Sequence, residues 1–174
     1  PVTAMFDDLT SMDIDASSNL CIQCHQSRRG IDGYWNGTDA QAVITSSHTG
    51  PHHGPQANLL LGNNGSVAGT PFSFHVDAGC VGCHMKETTG EDELDVAGGH
   101  TFWPAVEACV TCHPSATDFD IGGVQEDIET KLHDLGLLLL GEGILAWEYD
   151  DSGDSSLHLH TGTYDAAVFQ AFWN

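Results

Sequence analysis

The spacing of the six cysteines is the feature of this sequence that most directly indicates chemistry. All six fall in three copies of one pattern, C-x-x-C-H. Two thiols followed at once by an imidazole are typical of covalent haem attachment, in which the sulfurs form thioethers with the porphyrin and the histidine binds the iron. We therefore predict three haem c groups. Their attachment residues would be Cys21, Cys24, Cys80, Cys83, Cys109 and Cys112, and their proximal ligands His25, His84 and His113.

Other uses of paired cysteines fit the pattern less well. A thioredoxin-like redox site needs one C-x-x-C, and a zinc ribbon needs two without requiring a histidine after each. Histidine makes up 11 of 174 residues, so its chance occurrence after all three pairs has a probability on the order of 0.0003 around this motif. With every cysteine in a haem motif, none is left for a disulfide.

Each iron also needs a ligand on its other face, unless the site is open for a substrate. Only three methionines are present, and none is well placed: Met85 directly follows a proximal histidine, while Met5 and Met12 lie in an acidic stretch. We therefore predict histidine on both faces of each iron, which gives lower reduction potentials than a histidine and methionine pair. The histidines outside the motifs are His48, His52, His53, His75, His100, His133, His158 and His160.

Three of these histidines are the predicted distal ligands. His75 and His100 lie five and nine residues before the second and third motifs. His53 lies in the segment Gly50-Pro51-His52-His53-Gly54-Pro55-Gln56, where prolines and glycines favour a fixed turn. His52 is the alternative to His53, and His48 is the reserve. Which histidine serves which haem stays open, and His133, His158 and His160 are expected to face solvent.

Three segments carry a family resemblance: GPHHGPQANLLLG, CVGCHM and GGHTFWPAVEACVTCHP. Together they resemble secreted and outer-surface multihaem cytochromes of bacteria and archaea, some of which form conductive filaments. The resemblance covers residues 19–120 and implies distal ligation by His100 and by one histidine of the GPHHGPQ pair, with weaker support for His75. It identifies no particular partner.

The charge of the chain narrows its partners. There are 25 acidic residues against four Lys and Arg, for a formal net charge of -21. Nucleic acid is thus not expected as a partner, whereas basic redox proteins, an extracellular electron acceptor or a saline habitat all suit such acidity. Arg28 and Arg29 follow the first motif and are candidates to pair with haem propionates or simply with acids. No apolar run reaches the length of a membrane span, and c-type haems indicate export to the periplasm, the cell surface or beyond.

The predicted organisation is an acidic extended leader over residues 1–18 and a single trihaem domain over residues 19–174. We expect a mostly irregular multihaem cytochrome c fold, with short α-helices packed around haems and a helical C-terminal part from about residue 121. Val124, Ile128, Leu132 and Leu135 predict a helix over residues 124–140. A terminal helix is predicted from the spacing of Tyr164, Ala167, Val168, Ala171 and Phe172, with Phe169 and Trp173 off that stripe and core packing as its expected environment.

Electron transfer is the function that these features favour, with the chain acting as a carrier. The alternative is that the chain is a subunit of a larger haem-chain complex or filament. A haem enzyme, in which one iron has a position open for a substrate, is less favoured. The acidic loop over residues 150–154 could hold a calcium ion through its carboxylate oxygens. It lacks the spacing of an EF-hand, however, so a solvated loop is the favoured expectation.

Overall fold

The computed structural model describes residues 12–14, 17–51, 54–67, 69, 73–88, 98–149, 153 and 155–174. His52, His53, most of the leader over residues 1–18 and most of the acidic loop over residues 150–154 lie outside the described residues.

Six α-helices and four β-strands occur within the described part of the chain. The helices are α1 Asn19–Ile22, α2 Gln56–Leu61, α3 Ser73–His84, α4 Val106–Cys109, α5 Val124–Gly141 and α6 Ala166–Trp173. The strands are β1 Gln41–Ile44, β2 Leu145–Tyr149, β3 Ser155–Leu159 and β4 Gly162–Asp165. Short 3₁₀ turns lie at Ile31–Gly33, Gly99–Thr101 and Ile121–Gly123. The motifs thus lie on or beside short helices, and the strands are a feature that the sequence pattern did not predict.

The four strands form two antiparallel pairs. In the first, β1 pairs with β4, with Gln41 opposite Asp165 and Ile44 opposite Gly162. In the second, β2 pairs with β3, with Leu145 opposite Leu159. A two-stranded ribbon is marginal by itself in water, so each pair depends on the helices packed against it.

Helix α5 confirms the predicted helix over residues 124–140 and ends at Gly141, just before Gly143 with φ of 74°. Its interior contact is made at the C-terminal end, where Leu139 is buried and Leu135 packs against the same cluster. Val124, Ile128 and Leu132 lie on the exposed side of the helix. The predicted apolar stripe is therefore only partly covered.

Helix α6 exists as predicted, and Val168, Ala171 and Phe172 of the predicted stripe pack against the core, but this stripe is not the most buried face of the helix. Tyr164 belongs to β4 rather than to the helix, and the fully packed side chains are Phe169 and Trp173, at 0% and 7% exposure. The reason is tertiary: both rings pack against Tyr34, with ring centres 6.5 and 5.5 Å away. The indole Nε1 of Trp173 also donates a hydrogen bond to the Asn64 carbonyl oxygen at 2.7 Å.

Two apolar clusters hold these elements together. The larger joins β1, β3, α5 and α6 through Ala42, Ile44, Leu139, Ile144, Leu159, Phe169 and Trp173. The smaller consists of Met12, Ile22 and Ala57, with Ile14 and Leu61 beside it. Because Ile22 immediately follows Cys21, the smaller cluster fixes the position of the first motif.

Candidate haem-binding site

The first motif occupies α1 and the turn after it. The backbone N–H of His25 donates to the Cys21 carbonyl at 2.9 Å, so the motif forms one helical turn with both cysteines near the histidine. Cys24 is exposed and Cys21 is half-buried. His25 is oriented from α2, since its Nδ1 donates to the Gln56 side-chain oxygen at 3.1 Å.

The second motif forms the C-terminal half of α3. This half is separated from the first by a kink at Gly79, where φ is 62° and ψ is -175°. Ser18, which precedes α1, caps the new helical turn: its buried Oγ accepts hydrogen bonds from the N–H groups of Cys80 at 3.0 Å and Val81 at 3.4 Å. A serine beside the first motif therefore satisfies backbone donors of the second.

Gly79 is required at this kink for two reasons. Its φ lies in the left-handed region that side chains disfavour. A Cβ there would also lie 2.5 Å from Ser18 Oγ, closer than real Cβ contacts. The first and second motifs approach each other through this glycine.

The third motif begins at the end of α4. The His113 N–H donates to the Cys109 carbonyl at 2.7 Å, which repeats the helical turn of the first motif. Lys86, two residues beyond His84, donates through Nζ to the Glu107 carbonyl at 3.0 Å and to Thr111 Oγ1 at 3.1 Å. Thr111 lies between the two cysteines of the third motif, so Lys86 connects the second motif to the third.

The thiols of the second motif face those of both neighbours. Burial raises the pKa of the Cys80 thiol above its ordinary value, and the nearby Cys21 adds to the effect. Burial likewise raises the pKa of Cys83, with Cys109 and Cys112 adding to it. This direction is opposite to the lowered pKa that is typical of reactive redox cysteines. The motifs meet in chain order, with the second between the other two.

Two of the predicted proximal histidines, His25 and His84, have the hydrogen bond that is typical of an iron-ligating histidine. The Nδ1 of His84 donates to the Phe102 carbonyl oxygen at 2.9 Å, as that of His25 does to Gln56. A ligating histidine is typically held by such a bond, which fixes the tautomer and leaves the other nitrogen for the metal. Both residues therefore present Nε2 with its lone pair free. Among the described residues, no three His, Cys, Asp or Glu side chains converge as they would around a bare metal ion.

The structure brings one predicted distal ligand close to a proximal histidine. The ring of His75 lies 6.2 Å from that of His113, centre to centre, with 34° between the planes. His100 lies exposed in the 3₁₀ turn that precedes Phe102. The reserve candidate His48 is exposed, whereas His53 and its alternative His52 lie outside the described residues.

The histidines expected to face solvent are exposed. His133 lies near Asp134, with Nδ1 3.5 Å from the carboxylate, and His158 lies near Ser156 and Glu148. His160 is exposed beside Tyr164.

The two arginines of the chain, which follow the first motif, both form hydrogen bonds within the protein. Arg29 donates through Nη1 to the Tyr34 hydroxyl at 2.6 Å, and this bond raises the pKa of the guanidinium. Arg28 uses its backbone N–H to bond the Pro51 carbonyl at 3.0 Å. Arg29 thereby connects the segment after the first motif to the aromatic cluster around Tyr34.

Sequence reasoning assigned no role to Ser18, Gln56 or Lys86. Gln56 lies in the GPHHGPQ segment, so its nearness to the candidate histidines was the one available signal. Ser18 and Lys86 act across long sequence separations, and no local pattern marks such contacts.

Comparison with known proteins supports the interpretation drawn from the motifs. The chain is 27% identical over 154 residues to the C-type polyheme cytochrome OmcB of Geobacter sulfurreducens, found in strains DL-1/KN400 and PCA. The family supported is that of multihaem c-type cytochromes. The match covers 75% of this chain but only 20% of the relative. No family model matches the chain, and no solved structure matches it either.

Over the described residues, no helix combines the length and the apolar character that crossing a membrane requires.

Proposed function

We propose that this chain is an exported electron-transfer protein that carries three covalently bound haems c. The observation that carries the proposal is the arrangement of the three C-x-x-C-H motifs, which contact one another in series while His25 and His84 are held by Nδ1 hydrogen bonds. The similarity to a polyheme cytochrome supports the same class. Haem iron, when bound, supplies the one-electron chemistry.

The protein's own residues position the three sites and tune them. The chain would hold the second haem between the first and third, because Ser18 bonds α3 next to the first motif and Lys86 bonds the third motif. An electron would then enter at one terminal haem and leave at the other. The carbonyl acceptor for His84 Nδ1 increases imidazole basicity, which stabilises the oxidised iron.

Distal histidines and surface charge would complete the tuning. We expect histidine opposite each proximal histidine, with His53, His75 and His100 as the proposed ligands, giving low potentials. The net charge of -21 opposes the addition of an electron and steers basic partners. Periplasmic or cell-surface redox proteins and extracellular acceptors are the proposed partners.

The test is to produce the chain with a c-type haem maturation system and count its haems. We expect three per chain by pyridine haemochromogen absorbance and by mass, all resistant to acidified acetone, with low-spin spectra and reversible low-potential reduction. The Cys21→Ala/Cys24→Ala variant should retain two. Absence of covalent haem would overturn the proposal, and a high-spin resting iron that turns over nitrite, hydroxylamine or peroxide would favour the enzyme.

A larger haem assembly is the second candidate, supported by one observation. The region similar to this chain makes up 20% of the polyheme relative, so a comparable unit there belongs to a larger protein. Light scattering and electron microscopy of the haem-loaded chain would distinguish a monomer from an assembly or filament.

A further inference from the structure

Helix α3 contains the second motif and lies close to the third. Its C-terminal half contains the second motif, while its first half contains His75, before the kink at Gly79. The third motif lies alongside: Cys83 is close to Cys109 and Cys112, and Lys86 bonds Thr111. The first half of α3 approaches the third motif through His75, whose ring centre lies 6.2 Å from that of His113.

The distance between the rings of His75 and His113 is the distance expected of two imidazoles that bind one metal from opposite sides. A metal–imidazole bond is about 2 Å long and the bonded nitrogen lies about 1 Å from the ring centre, so imidazoles on opposite sides of one metal have centres about 6 Å apart. The observed separation is 6.2 Å. Unligated aromatic rings also pair within about 4.5–7 Å, so the distance alone does not distinguish two metal ligands from two packed rings.

The surroundings favour a ligand pair over a packed one. His75 is exposed and His113 is half-buried, whereas a packing contact between rings gains most from burial. His113 is, in addition, the histidine that the attachment motif presents to iron. Among the described residues, these two rings form the one close pair of imidazoles.

We propose that His75 is the distal ligand of the iron attached at Cys109 and Cys112, opposite His113, and does not ligate the haem of the second motif that follows it in the chain. The assignment rests on the proposed function. It makes α3 a direct connection between two haems, because its second half attaches the second haem and its first half ligates the third.

The first experiment is the His75→Ala variant, with His133→Ala as control. His133 is an exposed histidine on α5, so its removal changes the histidine count without reaching a motif. With haems loaded, one of three should become high spin in His75→Ala by electron paramagnetic resonance, and added imidazole should restore the low-spin signal. His133→Ala should leave all three low spin. A low-spin spectrum for all three haems in His75→Ala would overturn the proposal.

The second experiment assigns the affected haem. In the Cys109→Ala/Cys112→Ala background, which lacks the third haem, adding His75→Ala should leave the two remaining haems low spin. A new high-spin signal in that background would place His75 on another iron and overturn the assignment. If the background does not accumulate, a crystal structure of the haem-loaded chain shows whether His75 or another residue binds opposite His113.

These outcomes are separable from failure of the proposed function. A chain without covalent haem overturns the proposed function, whereas a trihaem chain with an unaltered His75→Ala spectrum overturns only this ligand assignment.

Discussion

The segments that carry the haem motifs and the segments that form the strands are built on different principles. We define the motif region as residues 17–30, 54–62, 73–88 and 98–114, and the strand region as residues 31–44, 121–149 and 155–174. The strand region encloses large side chains, with Ile144 and Phe169 both at 0% exposure. Both regions also expose large apolar side chains, but among the described residues of the motif region Ile22 is the one large apolar side chain that is buried. Those exposed in the motif region are Leu20, Leu59, Phe74, Phe102, Trp103 and Val110.

The two regions differ in the source of their buried apolar area. Large side chains in the strand region fill their own interior, as close packing demands. In the motif region the buried residues include small or polar ones such as Ala57, Ser18 and Asn58, which supply little apolar area. Under the proposed function, porphyrin faces would cover the exposed apolar side chains around the motifs and supply that area.

Removal of the haems should produce the largest difference between the two regions. In a chain produced without haem attachment, we expect the amides of the motif region to lose protection from hydrogen exchange while those of α5 and α6 keep it, because the strand region has the larger side-chain core. Exchange followed by mass spectrometry measures both regions in one sample. Equal protection of the two regions in apo and haem-loaded chains would contradict the contrast.

The next effect in size is in the strand region. Phe169→Ala should lower the free energy of unfolding by about 3–5 kcal/mol, because a fully buried ring is replaced by a cavity. Its packing against Tyr34 and Trp173 is lost at the same time. Denaturant unfolding monitored by the far-ultraviolet signal measures the change, with Phe119→Ala, at a 44% exposed position, as the control.

Haem content separates the two regions in that experiment. The Phe169→Ala chain should still bind three haems with unchanged spectra, since Phe169 lies outside the motif region. A loss of haem comparable to the loss of stability would show that the two regions depend on each other.

The sequence was more informative about the motif region than about the strand region. The predicted attachment cysteines and proximal histidines rest on local chemistry, which needs no knowledge of tertiary contacts. The deep burial of Phe169 in α6 could not be predicted in this way, because Phe169 packs against Tyr34, more than a hundred residues away in the chain. The position of His75 beside His113 was equally invisible, since a kink at Gly79 sets the direction of its half-helix. Strands of four or five residues such as β1 left too short a pattern to recognise.

Removing the hydrogen bonds of Ser18 in the motif region should have a smaller effect on stability. Ser18→Ala should cost about 1–2 kcal/mol, because it removes a helix cap and leaves the Cys80 N–H without that acceptor. Ser18 is fully buried, so water does not readily substitute. The exposed Ser47→Ala is the matched control, and denaturant midpoints measured on the haem-loaded forms give the difference.

Hydrogen exchange tests whether Ser18 also fixes the position of the second motif. If Ser18 positions the second motif against the first, Ser18→Ala should also increase hydrogen exchange at residues 80–84 without affecting α6. Unchanged exchange at the second motif would show that haems alone fix its position.

The smallest expected effect concerns Lys86, which bonds the third motif from an exposed position. Lys86→Met keeps the length of the side chain while removing its charge and both hydrogen bonds, to Glu107 O and Thr111 Oγ1. We expect a stability loss below about 1 kcal/mol, as for exposed charged contacts. Because a nearby positive charge favours the reduced haem, its removal should lower a reduction potential in the motif region, more at low salt than at high salt. The control for net charge is Lys131→Met, which removes a lysine paired with Asp127 on α5. A redox titration of both variants measures the shifts in potential. Equal shifts would show that Lys86 acts only through the total charge of the chain.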